Sequence, residues 1–358
     1  MHLINQTLEN KIKEFFLWLD YIIYLLFSVT KFKKFPKNIN KILVVELLLI
    51  GDLINITPVI KALKKKFPTA KIDILVLEKM KNVLSGNPNT NKTLIYENNF
   101  LKLTEKIKKN NYDLGVILHP GSLKISLALL FANVKYRIGC TKVGILSGKG
   151  FFLNKKIIPN AKIQHKIEDN LDVVRSIKAN LNDDEKKLEI YTTKDADKKI
   201  DALFKKNKIS KKDFKVVVHA AANYKSHEWL PERFAHITDY LIKKYKAKVI
   251  FSGSNLDINL NDKIIKLMKY KALNLAGTTI KEFFSLIKKS DLVISVDTSA
   301  MHVAAAFNKE VIALFELELG YPKIWYPYTN KRHLIFKGKS MRDIKEEDVI
   351  KVIDNISK

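Results

Sequence analysis

Apolar and polar positions fall in blocks along this chain, and the blocks have two textures. KILVVELLLIGD (41–52), KIDILVL (71–77) and NYDLGVILHPGS (111–122) are nearly unbroken apolar runs. A run without alternation fits a strand covered on both faces, so each predicts a strand of a parallel sheet. Between the first two lies TPVIKALKKKF (57–67), whose apolar positions recur at helical spacing. Strand, helix, strand implies a right-handed crossover.

The pattern restarts near residue 214. FKVVVHAAANYK (214–225) predicts a strand running into a polar loop, and WLPERFAHITDYLIKKY (229–245) an amphipathic helix with Pro231 in its first turn. KVIFSGS (248–254), ALNLAG (272–277), DLVISVD (291–297) and EVIALFE (310–316) predict further strands. TIKEFFSLIKKS (279–290) and HVAAAF (302–307) predict helices. Residues 176–212 between the halves are polar and lysine-rich, with DDEKK and TTKDADKK, and read as the linker. The expected fold class is α/β: two Rossmann-like domains whose parallel sheets face a central cleft. In such sheets ligands sit beyond the carboxyl ends of the strands.

Composition narrows the chemistry. The 358 residues suit two domains of roughly 150 residues each. Apolar residues make up 47%, which excludes global disorder. A single cysteine, Cys140, excludes an internal disulfide and cysteine-clustered zinc or iron–sulfur sites. Eight histidines without a HExxH-type spacing predict no structural metal. The net charge of +27 is spread as lysines along the whole chain, without an arginine-rich arm, so no nucleic acid is expected as partner. That charge still favours an anionic membrane surface and polyanionic substrates.

The first forty residues stand apart. FFLWLDYIIYLLFSV (15–29) is shorter than the roughly 20 apolar residues a spanning helix needs, and it contains Asp20. No small-residue cleavage site follows, which argues against a signal peptide. Lys31, Lys33, Lys34 and Lys37 lie just downstream, with Phe32 and Phe35 among them. Two readings stay open: a helix lying in a membrane interface, or one packed on protein.

The polar residues at strand ends are the candidate site. Gly51 and Asp52 end the first run. Asp52 reads either as a base for an acceptor hydroxyl or as a helix cap. Lys225 and His227 follow the 214–225 run, where a cation can pair with phosphate oxygens. Asp297, Thr298 and Ser299 stand at the head of an alanine-rich helix, with His302 one turn in. Free amides and the helix dipole there attract phosphate, and an ordinary Thr/Ser cap with a buried histidine is the plainer reading.

Taken together, these segments resemble glycosyltransferase family 9, the heptosyltransferases of bacterial lipopolysaccharide core synthesis, over roughly residues 40–350. The resemblance rests on IGDLINITPVIKALKKKFPTAKIDILV, YDLGVILHPGS, YRIG, HKIEDNLDVV, HEWLPERFAHITDYL, NLAGTTIKEFFSLIKKSDLVISVDTSAMHVAAAF and VIALFE, in that order. It implies the GT-B fold and an inverting, metal-independent transfer of a sugar, heptose in the family. The implied donor is a nucleoside diphosphate sugar, ADP-linked, and the implied acceptor a lipid-linked anionic glycan of the lipopolysaccharide or lipooligosaccharide core. No cofactor is implied. Asp52 takes the place of the proposed general base. Asp297, Thr298, Ser299 and His302 take the place of the motif that binds the donor diphosphate, with Lys225 and His227 beside it. Gly51, Asn55, Thr57 and His119 are expected on the acceptor side.

The implied organisation is a membrane-associating helix (1–36), an acceptor domain (37–180), a nucleotide-sugar domain (181–340) and a C-terminal helix (341–358). The implied location is cytoplasmic and peripheral on the inner membrane. Three departures stand out. Ser299 replaces the family's glycine. His227 stands where a lysine is usual, with Lys225 two residues earlier. Asn255-Leu256-Asp257 occupies the loop that often offers a glutamate to the ribose. These leave room for another nucleotide sugar serving a different surface glycan, or for a non-catalytic relative.

Overall fold

The computed structural model describes residues 34–118, 123–140, 152–157, 163–317 and 321–356. Among the described residues twelve strands form two six-stranded sheets. The first holds β1 (Lys41–Val45), β2 (Lys71–Val76), β3 (Lys92–Ile95), β4 (Leu114–Ile117), β5 (Tyr136–Cys140) and β6 (Lys155–Ile157). The second holds β7 (Lys215–His219), β8 (Lys248–Phe251), β9 (Leu273–Asn274), β10 (Leu292–Val296), β11 (Glu310–Leu314) and β12 (Arg332–Ile335). Their orders are β3-β2-β1-β4-β5-β6 and β12-β11-β10-β7-β8-β9, and the pairings are parallel throughout. Counted within its own half, the second order repeats the first. Each is the doubly wound order, in which the winding reverses between the first and fourth strands, β1 and β4 here and β7 and β10 there.

Among the described residues the helices are α1 (Ile50–Asn55), α2 (Thr57–Lys66), α3 (Phe100–Lys108), α4 (Leu123–Phe131), α5 (Lys166–Arg175) and α6 (Lys194–Lys206). They continue with α7 (Pro231–Tyr245), α8 (Ile258–Leu267), α9 (Ile280–Lys288), α10 (Ser299–Ala306), α11 (Tyr321–Trp325) and α12 (Glu346–Ile356). The central strands owe their place to their composition. All five residues of β10, LVISV, are buried, as are the first four of β7, KVVVH. Stiff β-branched side chains pack well on a pleated surface that helices cover from both sides.

The two lobes are tied at several points. On the first-lobe side of the crossing, Glu185 and Glu189 pair with Lys65 and Lys61 of α2 at 2.7 and 3.0 Å. A few residues on, α6 packs against α9 of the second lobe, where the Ser285 hydroxyl donates to Asp197 at 2.6 Å. The segment read as a linker therefore changes lobes between Glu189 and α6. From α9 the buried Lys281 ammonium donates to the carbonyls of Ser85 and Tyr191 at 2.7 and 2.8 Å. The C-terminal helix α12 lies on α7, with the Tyr240 hydroxyl donating to Asp354 at 2.7 Å.

One predicted strand is shorter than its apolar run. β1 ends at Val45, and LLLIGD does not continue it. The buried Glu46 carboxylate accepts from the Leu48 amide at 3.1 Å, which bends the chain out of the sheet. Ile50 then opens α1, so Gly51 and Asp52 sit in a first helical turn and not at the end of a strand. A single residue, Ile56, separates α1 from α2. Pro231 opens α7 as expected, after Leu230. The proposed membrane-associating helix falls almost wholly on residues outside those described. Among the described residues no helix is long and apolar enough to cross a membrane.

Candidate active site

The loops that follow β1, β7 and β10 converge on one cavity of about 460 Å³. It lies at the carboxyl ends of the strands, where the winding of each sheet reverses, the place such sheets offer a ligand. From the first lobe come Leu49, Gly51, Asp52 and Met80; from the second come Tyr224, His227, Asp297, Thr298, Ser299, His302 and Trp325. The helices α1 and α10 meet here head to head. Their contact is so close that a Cβ on Gly51 would lie 2.8 Å from Cδ2 of His302. A side chain at that position would force the His302 ring to shift.

Asp52 is the third residue of α1. One carboxylate oxygen, Oδ2, accepts from the Leu49 amide at 3.3 Å. The other, Oδ1, is buried without a hydrogen-bond partner. Burial, reinforced by the nearby charge of Glu46 and opposed by Lys166, pushes its pKa up to about 6. The capping and basic readings of this residue are thus compatible: one oxygen steadies the helix start, and the other is left to take a proton.

Across the cavity, Thr298 caps α10. Its hydroxyl accepts from the Ala300 amide at 3.4 Å and lies 2.9 Å from the Ser295 hydroxyl. Ser299 is the first residue of the helix. Ala300 and Ala304 are fully buried, which lets α10 lie close on the sheet. His302 is buried, its Nδ1 lacks a partner, and burial together with the neighbouring His165 pushes its pKa down to about 3. It is therefore a neutral donor or acceptor at physiological pH. Burial pushes Asp297 up to about 7. His227 stands between two acids: Nδ1 is 4.0 Å from Asp297 and Nε2 is 3.6 Å from Glu316.

Gly51, Asp52, His227, Asp297, Thr298, Ser299 and His302 are thus brought together, and three described residues, Lys225, Thr57 and Asn55, are not. Lys225 is exposed on the 3-10 turn Lys225–His227 and forms no part of the cavity wall. Only the third residue of that turn points inward. Thr57 is buried behind the cavity, its hydroxyl donating to the Ile54 carbonyl at 2.7 Å and accepting from the Glu189 amide at 3.1 Å. Asn55 is fully buried one turn down α1, away from the wall. His119 lies outside the described residues. In the Asn255-Leu256-Asp257 loop, Asp257 is occupied by the Ser254 amide and hydroxyl at 2.7 and 2.8 Å.

Two acids escaped notice in the sequence. Glu46 sits inside an apolar run, and an acid there is itself a signal of a buried, partnered carboxylate. Glu316 closes EVIALFE at a strand end, the position that flagged Asp297. A larger cavity of about 890 Å³ opens at the other end of α10, beside Lys186, Tyr326 and Tyr328. Its buried cation Lys186 is already paired with Glu168 and Asp183, at 2.8 and 2.6 Å. It also lies away from the strand ends that gather at the smaller cavity. The smaller one is the candidate site.

The model of glycosyltransferase family 9 (heptosyltransferase) matches residues 100–353. The chain is 29% identical over 284 residues to lipopolysaccharide heptosyltransferase 3 of Escherichia coli K12, covering 74% of this chain and 79% of that protein. The fold is similar to the solved family 9 glycosyltransferase of Veillonella parvula, with TM-score 0.79 and 20% identity over 88% of this chain and 97% of the other. It is also similar to E. coli ADP-heptose lps heptosyltransferase II, with TM-score 0.75 and 21% identity over 88% and 98%. Both solved relatives share the paired parallel α/β lobes of the GT-B fold, and the matched segment runs from α3 to α12. On this footing the chain belongs to glycosyltransferase family 9 and is a glycosyltransferase of GT-B fold.

Proposed function

We propose that this protein is an inverting heptosyltransferase of lipopolysaccharide core assembly, taking its sugar from a nucleoside diphosphate donor, with ADP the preferred nucleotide. The observation that carries the reading is one cavity with opposite chemistries on its two walls: the unpartnered Oδ1 of Asp52 on one, and the hydroxyl-capped start of α10 on the other. In this reading Asp52 removes the proton of an acceptor hydroxyl. The acceptor oxygen attacks the anomeric carbon from the face opposite the diphosphate. The bond to the diphosphate breaks with its electron pair, and configuration inverts. The first amides of α10, the hydroxyls of Thr298 and Ser299 and the imidazole of His227 receive the charge that departs. With those donors in place no metal enters the proposed step.

The acceptor is a lipid-linked anionic glycan, which the charge of +27 favours, and the enzyme works peripherally at the cytoplasmic face of the inner membrane. The names of the E. coli relatives support the sugar, the nucleotide and the glycan class. The test is a thermal-shift screen of the purified protein against ADP, UDP, GDP, CMP and ADP-heptose, with and without EDTA. Stabilisation by ADP and ADP-heptose that EDTA leaves unchanged is the expected result. A shift with UDP or GDP alone would change the donor. Stabilisation that EDTA abolishes would end the metal-free reading.

A further inference from the structure

His227 is the one histidine of the cavity wall flanked by two acids, and the reason it stands there is local. The 3-10 turn Lys225–His227 directs its third side chain inward and leaves Lys225 in solvent. Among the described residues, groups from several neighbouring elements face the imidazole. Tyr224, on its own loop, meets it edge-on at 5.5 Å between ring centres. Asp297 approaches from the end of β10 at 4.0 Å, and Glu316, just past the end of β11, at 3.6 Å. Asp52 and His302 share the cavity, and His302 is uncharged. Neither acid is within hydrogen-bonding distance, and both are within reach of an ion pair. The two acids differ. Asp297 is held near neutrality by burial, so around pH 7 much of it carries no charge to offer.

We infer that Glu316 is a positioning residue: it holds the His227 imidazole in its charged form and in place, so that histidine serves as the cation for the donor's diphosphate. The inference rests on the diphosphate reading above and adds to it a residue and a pH dependence. A lysine in that role would stay charged across the physiological range. A histidine depends on its surroundings for its charge, and here the nearest acid comes from a different strand. Glu316 without His227 makes no sense in a phosphate site, since a lone carboxylate beside a diphosphate repels it.

That opposition of signs supplies the test. ADP binding is measured by calorimetry at pH 6.5 for the wild type, Glu316→Gln, His227→Ala and the double variant. Glu316→Gln is expected to weaken ADP about threefold at pH 6.5, with a larger loss at pH 8.5. In the His227→Ala background the same change is expected to leave binding equal or tighter. A Glu316→Gln protein that binds ADP as well as or better than the wild type overturns the inference and leaves the transferase reading standing. A wild type that binds none of ADP, UDP or GDP at any pH from 5.5 to 8.5 overturns both. The pH dependence of ADP binding gives a readout that a loss of fold would not mimic: the wild type is expected to bind more weakly as pH rises from 5.5 to 8.5, and a Glu316→Gln profile that matches the wild type sinks the proposal. His227→Lys is expected to bind ADP with little change from pH 6 to 8.5.

Discussion

The starts of α1 and α10 occupy neighbouring positions across the cavity, each reached from a strand at its sheet's switch point, and they are built with opposite electrostatics. At α1 the chain supplies its own anion: the Asp52 carboxylate takes the Leu49 amide. At α10 the cap is the neutral Thr298 hydroxyl, which takes one amide and adds no charge. Both sites use the same rule, that a helix start attracts negative charge. Where the charge is internal, its second oxygen is left buried without a partner. Where it is withheld, the positive end of the helix is left uncompensated by any charge of the cap. The difference lies in one side chain's chemistry and not in the fold, which the two lobes share.

Removing the internal charge should break the comparison most severely. Asp52→Asn keeps an acceptor for Leu49 and loses the base, and a fall in kcat of about 10²–10⁴-fold is expected, with ADP affinity by calorimetry unchanged. Lost ADP binding would return Asp52 to a purely capping role. The same substitution is expected to stabilise the fold at pH 8. The folded pKa of Asp52, about 6, lies above its ordinary 3.8, so its contribution to stability is complete below 3.8 and is lost as pH rises through 6. Urea unfolding at pH 8 should show a gain of order 1–3 kcal/mol, and no gain at pH 3.5.

Next in size is the pH profile. If Asp52 is the base, kcat/KM should rise about tenfold per unit up to pH 6 and then level off, and the rising limb should vanish in Asp52→Asn. A limb that survives belongs to another group. Gly51→Ala probes the contact between the two helix starts. The added methyl meets His302, so the free energy of unfolding in urea is expected to fall by about 1–3 kcal/mol. The smallest effect is expected at the neutral cap: Thr298→Ala should lower stability by about 1 kcal/mol, while Thr298→Ser should be close to neutral.

Much of this arrangement was legible in the sequence, for a physical reason. Central parallel strands such as LVISV are apolar throughout because both faces are covered, and they stand out in any reading. The edge strand KKI and the two-residue β9 are short, and the edge strand β3 (KTLI) is half polar, so the pattern is weak there. Apolar runs also cannot separate a buried strand from a buried helical turn, which is why LLLIGD read as more of β1. In the site, Asp52 and Asp297 through His302 were visible because acids and hydroxyls interrupt apolar blocks. The roles of Lys225 and His227 were not separable, since only the geometry of a three-residue turn decides which one faces inward. Glu316 was hidden because its partner is remote in sequence, and a glutamate closing a strand looks like ordinary surface.

Lys281 carries a consequence for motion. Its ammonium is buried between a carbonyl of the first lobe, at Ser85, and one of the crossing segment, at Tyr191, and it also lies over the Phe284 ring. The Ser85 loop begins a few residues after Met80, which lines the cavity. A rotation of the second lobe would have to withdraw that ammonium from both carbonyls together, and water would have to replace them in one step. The joint between the lobes is therefore held by one buried ammonium shared by both sides, and opening the cleft there means breaking both hydrogen bonds.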